Sequence, residues 1–211
     1  MAPDRAGAGD ALAPAAVNDA VAAAGPLIVA FGDSLYAGYQ LPPNEGLAPE
    51  LQRVLRAQGI PATVVNAGVS GDTTAAGRAR LAYVLDGLPR QPTLVIVGLG
   101  GNDLLRGLPP SETRANMEAM LTLLAERNIP AMLTGMRAPT TLGREYVAEF
   151  DGLYPALAAQ YRVALHPFLL DGVITNPSLL LPDGIHPNAE GVDRMAQAIA
   201  PTVIGALPAQ Q

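Results

Sequence analysis

The sequence predicts a three-layer α/β/α domain. Its centre is a doubly wound parallel sheet of about five strands in the flavodoxin-like order 2-1-3-4-5. Two observations predict it. Short β-type runs alternate with longer helical ones from Leu27 onward. The runs LIVAF and TLVIVGL are continuously apolar, as strands covered on both faces are. Strand–helix alternation implies right-handed crossovers between parallel strands.

In chain order, the strand candidates are Leu27–Phe31, Ala62–Asn66, Thr93–Leu99, Ala131–Met136 and Val163–Leu165. A helix over Leu47–Gln58 puts Leu51, Val54 and Leu55 on one face and stops at Gly59, which suits a C-terminal cap. A second helix, Asp72–Leu85, follows Gly71. A third, Glu112–Arg127, takes Ser111 as N-cap and turns Met117, Leu121 and Leu124 inward. Tyr146, Phe150, Leu153, Leu157 and Tyr161 recur at helical spacing within Arg144–Tyr161, with a kink expected at Pro155. The last helix starts from Asn188, buries Val192, Met195, Ile199 and Val203, and bends at Pro201.

Composition removes several function classes. The chain has 211 residues, 49% of them hydrophobic and 15% charged, which fits one ordinary domain and excludes intrinsic disorder. Net charge is −6, and all 13 basic residues are Arg, with no basic cluster. That argues against nucleic acid or an anionic membrane as partner. No run of about 18 apolar residues exists to span a membrane. With no Cys and two His, neither thiolate nor histidine-rich metal chemistry is expected. The lack of Lys excludes a receiver domain, and 4% aromatics argue against a flavin binder. Residues 1–25 are rich in Ala, Gly and Pro and predict a flexible segment, with a short helix near Asn18–Ala24. They lack the charged and apolar regions of an intact signal peptide. A spacer left after an export signal and a cytoplasmic extension both fit. Residues 26–211 form the predicted domain.

In a sheet of this order, ligands bind beyond the carboxyl ends of the strands, at the switch point between strands one and three. The loops there read Gly32-Asp33-Ser34-Leu35, Gly68-Val69-Ser70-Gly71-Asp72 and Gly100-Gly101-Asn102-Asp103. Ser34 has the place of a nucleophile, and a hydroxyl needs a positioned base. His186 sits in Asp183-Gly184-Ile185-His186-Pro187, where Asp183 can orient its imidazole. His166, without a carboxylate nearby in sequence, reads as a core or rim residue. Three candidate oxyanion donors are the Ser34 N–H, the Gly71 N–H at a helix start, and the Asn102 amide. Each residue also has a plain reading. Asp-Gly and His-Pro are ordinary turn dipeptides, Gly71 suits a loop, and Asn102 suits an Asx turn. Their convergence at one sheet edge favours the chemical reading. Ser70 lies in G-x-S-G, not the G-x-S-x-G elbow. Ser111 and Ser178 read as cap and turn residues, Asp33 and Asp103 as loop-ordering acceptors.

Together Gly32-Asp33-Ser34-Leu35, Gly71, Gly100-Gly101-Asn102-Asp103 and Asp183-Gly184-Ile185-His186-Pro187 resemble the four signature blocks of the SGNH (GDSL) hydrolases, in order and spacing. The strings GDSLYAGY, VVNAGVSGDTT and GLGGNDLLRGL are most similar to the bacterial arylesterase and multifunctional thioesterase/protease/lysophospholipase branch. The resemblance implies a serine esterase acting on acyl or aryl esters, thioesters or lysophospholipids. It makes Ser34 the nucleophile, His186 the base and Asp183 its partner. The oxyanion hole would be Ser34, Gly71 and Asn102, and no metal or cofactor is implied. It also implies that Leu104, Leu105 and Leu108 contact the acyl chain of a small-molecule ester. Location would be periplasmic or secreted, with the cytoplasm as alternative. The competing expectation is a carbohydrate or peptidoglycan O-deacetylase of the same superfamily, against which few aromatic residues speak. Oligomeric state is left open.

Overall fold

A computed structural model describes residues 25–208. The expected flexible segment with a helix near Asn18–Ala24 falls on residues outside that range. The elements, in order, are β1 (Leu27–Gly32), α1 (Ser34–Ala37), α2 (Leu47–Ala57), β2 (Thr63–Gly68), α3 (Thr74–Asp86), β3 (Leu94–Gly98), α4 (Gly101–Leu105), α5 (Pro110–Glu126), β4 (Ala131–Thr134), α6 (Arg144–Tyr161), β5 (Ala164–His166) and α7 (Ala189–Ala206). All strand pairs are parallel and the order is β2-β1-β3-β4-β5, as predicted.

The apolar strand runs work because side chains alternate across a strand. Ile28 and Ala30 of β1, with Leu94 and Ile96 of β3, face Leu51 and Leu55 of α2 and Met195 and Ile199 of α7. Val29, Phe31, Val95 and Val97 point the other way, against Leu81 of α3, Met117 and Leu121 of α5, and Phe150 and Leu157 of α6. Neither face of β1 or β3 is left for polar residues.

Several boundaries move. β1 and β2 run on to Gly32 and Gly68, and β5 includes His166. Expected to open near Asp72, α3 begins at Thr74. Thr73 is its N-cap and accepts the Ala76 N–H at 3.3 Å, while Asp72 is drawn to Arg80. Ser111 does not cap α5. That helix starts at Pro110, whose fixed φ and missing N–H suit the first helical position. Asn188 caps α7 as expected, accepting the Gly191 N–H at 3.0 Å. Helices α6 and α7 continue through Pro155 and Pro201. Short helices α1 and α4 stand where the sequence predicts loops.

The carboxyl edge is shaped by one aromatic ring. Gly32 pairs in register with Gly68 on one side and Gly98 on the other, giving a row of three glycines. Tyr36 of α1 lies across this row, with its hydroxyl 2.7 Å from Thr134 Oγ1. A Cβ on Gly32 or Gly98 would come within 2.2 Å of that ring, and one on Gly68 within 2.2 Å of the Ala37 nitrogen. Side chains in the row would lift α1, and Ser34 with it, off the sheet.

Candidate active site

The chain leaves β1 at Gly32 and turns at Asp33, whose carboxylate accepts the Leu35 N–H at 3.1 Å and caps α1. Ser34 is therefore the first residue of a helix, half-buried, with its Oγ 2.9 Å from His186 Nε2. His186 Nδ1 lies 2.7 Å from Asp183 Oδ2. Asp183 Oδ1 accepts the backbone N–H groups of Ile185 at 2.9 Å and His186 at 3.0 Å. Gly184 takes the positive φ (70°) that closes this loop. With Nδ1–H donated to Asp183, Nε2 is free to accept the Ser34 proton.

Asp183 and Asp33 are pushed in opposite directions. The N–H groups of His186 and Ile185, then the imidazole, hold the Asp183 carboxyl down at about 2. Burial pushes Asp33 up to about 6, against the Leu35 N–H that favours its charged form. As expected, Asp33 orders its loop. So does Asp103, which accepts from Thr74 N–H at 2.8 Å and Thr74 Oγ1 at 2.5 Å.

Gly71 does not open a helix. It sits in a turn at φ 86°, three residues before α3, and its carbonyl accepts from Arg106 Nη2 at 2.8 Å. The reason is the Thr73 cap, which fixes the helix start further along. Neither the Gly71 N–H nor the Ser34 N–H donates to another group among the described residues. Asn102, in α4, donates from Nδ2 to the Asp72 carbonyl at 2.9 Å and lies 3.5 Å from Asp33 Oδ2.

Leu105 is 68% exposed, Leu108 is half-buried, and Leu104 packs into the core with Leu99 and Met117. Ser70, Ser111 and Ser178 are exposed, and none contacts His186. The reading of His166 as a core or rim residue matches its place at the end of β5, with Nε2 buried and unpartnered among the described residues.

Three site-building residues were not anticipated. The Tyr39 ring lies against the His186 imidazole, centroids 4.3 Å apart and tilted 35°. Its N–H donates to the Ser34 carbonyl at 3.2 Å. Arg80 and Arg106 reach the Gly71–Asp72 turn from α3 and from the end of α4. Tyr39 lay inside the GDSLYAGY string, five residues from Ser34. The two arginines carry no local signal, since their partners are distant in sequence.

Residues 30–194 match the GDSL-like lipase/acylhydrolase family, and the chain belongs to that family. It is 37% identical over 177 residues to the arylesterase of Vibrio mimicus, covering 84% of this chain and 88% of that protein. Over 186 residues it is 37% identical to the thioesterase 1/protease 1/lysophospholipase L1 of Escherichia coli K12, covering 86% and 87% of the two chains. The crystal structure of AlinE4, an SGNH-hydrolase family esterase, is 51% identical, with a TM-score of 0.75, and covers 89% of this chain and 99% of its own.

Proposed function

We propose that Ser34 is the nucleophile of a carboxylic ester hydrolase, with His186 as general base and Asp183 as its orienting partner. The enzyme class follows from the family and from relatives named arylesterase, esterase and thioesterase/lysophospholipase. The observation that carries the residue roles is the continuous relay from Asp183 Oδ2 through His186 to Ser34 Oγ, with spans of 2.7 and 2.9 Å.

In this reading Ser34 Oγ attacks the acyl carbon while its proton passes to His186 Nε2. Asp183, held ionised, stabilises the imidazolium. The carbonyl oxygen becomes an oxyanion between the Ser34 N–H, the Gly71 N–H and the Asn102 amide. The long 3.5 Å contact to Asp33 leaves one amide N–H available to it. Collapse breaks the C–O or C–S bond, and His186 returns the proton to the departing alcohol or thiol. Water then releases the acid from Ser34 by the same route. Asp183 stays charged down to about 2, so it keeps orienting the imidazole well below the ordinary carboxyl range.

Substrates in this reading are small-molecule acyl or aryl esters, thioesters or lysophospholipids. The exposed Leu105 and the half-buried Leu108 offer apolar surface to an acyl chain, and Leu104 supports that loop from the core. Resemblance to exported members of the branch supports a periplasmic or secreted location, testable by cell fractionation.

The test is a p-nitrophenyl ester series of rising acyl length with Ser34→Ala as blank. Hydrolysis should vanish in Ser34→Ala with the fold retained. Activity that persists there and disappears in Ser70→Ala sinks the assignment. Leu105→Ala should weaken longer esters selectively, at about 0.8 kcal/mol per CH₂ that loses its contact. Leu104→Ala should instead lower stability by about 2–4 kcal/mol, with uniform activity loss.

A further inference from the structure

We propose that Arg80 is a positioning residue that sets the Asn102 amide through Asp72, braced against the Gly32 carbonyl. The inference rests on the oxyanion role given to Asn102 above.

Arg80 projects from α3 with a side chain only 20% exposed, and its Nε, its Nη2 and its planar face each meet a partner. Nε donates to Asp72 Oδ2 at 2.6 Å, in a pair whose carboxylate is 11% exposed. Nη2 donates to the Gly32 carbonyl at 2.9 Å. The guanidinium plane lies 4.1 Å from the centroid of the Phe31 ring. One planar cation thus grips the last turn of β1, two residues before Ser34, and the residue after Gly71.

The link to Asn102 runs through the same residue. While the Asp72 carboxylate is held by Arg80, its backbone carbonyl accepts Asn102 Nδ2 at 2.9 Å. An amide rotates freely about its last torsion unless one N–H is anchored. The Asp72 carbonyl is that anchor, and its direction depends on where the Asp72 side chain is tied. Arg106 fixes the neighbouring Gly71 carbonyl at 2.8 Å, and Asp103 ties Thr74 to α4. Arg80 ties this assembly to the turn that carries Ser34, beside the Val69 N–H, which donates to the same Gly32 carbonyl at 3.0 Å, and the longer Asn102–Asp33 contact. Lys could neutralise Asp72, but a point-like ammonium lacks the fork that reaches both acceptors.

A double-mutant cycle on kcat for p-nitrophenyl acetate tests this, with KM and Tm recorded for each variant. Arg80→Gln should lower kcat about tenfold with KM within about twofold, since an oxyanion contact acts mainly in the transition state. In an Asn102→Ala background the same change should cost less than about threefold, because the residue it acts through is gone. If Arg80→Gln fails to fold, Arg80→Lys keeps the charge against Asp72 and should show the same pattern. Equal losses in both backgrounds, a loss carried by KM, or a lower Tm with unchanged kcat would overturn the proposal. The oxyanion reading is judged separately by Asn102→Ala alone. It should cost about 10²–10³-fold in kcat, and near-normal turnover would remove Asn102 from the hole whatever Arg80 does.

Discussion

The chain has two histidines, both followed by proline and both at the carboxyl edge of the sheet, and they meet opposite fates. His186 ends a loop that wraps around Asp183 and has a partner on each ring nitrogen. His166 ends β5 with a buried Nε2 that has no partner among the described residues, and burial pushes its imidazole down toward the neutral form. The difference lies in what precedes each residue. Asp183 and Gly184 stand three and two positions before His186, and they fold into a turn that delivers a carboxylate to Nδ1. Before His166 stand Ala164 and Leu165, strand residues that supply packing and no acceptor. Identical side chains thus become the proposed base and a rim residue held toward its neutral form through three residues of local context.

The largest way to break this contrast is His186→Ala. It should cost about 10⁴–10⁶-fold in kcat, as removal of a base acting in concert with its nucleophile does. His166→Ala should retain substantial activity, and a reversed ranking would overturn the assignment.

Next is Asp183→Asn. It preserves shape but loses the charge that, in the proposed relay, stabilises the imidazolium, with an expected loss of up to about 10⁴-fold in kcat. Because the Asp183 carboxyl is held at about 2, it stays ionised well below the ordinary carboxyl range. The stability that its N–H bonds provide is present above the ordinary carboxyl range and is lost only as pH falls toward that value.

A smaller effect separates the two carboxyls that flank Ser34 and His186. Asp33 is raised to about 6 by burial, so its ionisation opposes folding as pH rises from the ordinary carboxyl range through that value. Asp33→Asn should keep the Leu35 cap and raise Tm at about pH 8, with the gain fading by about pH 4. A gain that persists at low pH would mean that charge burial is not the cause.

Smallest is His166→Phe. It removes a buried Nε2 without a partner among the described residues, together with a backbone contact at Phe168, so it should leave kcat within about twofold and Tm little changed. Its stability should also decline less on acidification, because the lowered imidazole disfavours folding once pH drops below the ordinary histidine range. A large loss of Tm would mean that the ring packs more tightly than its orphaned nitrogen suggests.

The local features of this site were legible in the sequence because they depend on short range. The Asp183–His186 loop, the Asn188 cap and the apolar strands each arise from residues within a few positions of one another. Parallel order followed from the alternation of elements. Helix starts were less legible. Thr73, not Asp72, caps α3 because Arg80 competes for the Asp72 carboxylate, and Pro110 displaces Ser111 because its fixed φ already suits the first turn.

Sequence alone determined the strand pattern, the sheet order and the residue types available for chemistry, since these follow from side-chain periodicity and turn preference. Only the tertiary structure decided which groups meet. The 152-residue gap between Ser34 and His186 closes to 2.9 Å because parallel strands deliver every loop of the switch point to one edge. The same closure brings Tyr39 against His186 and Arg80 against both Gly32 and Asp72. Side chains with distant partners leave no periodic trace in a sequence, because their spacing is set by the sheet and not by the chain.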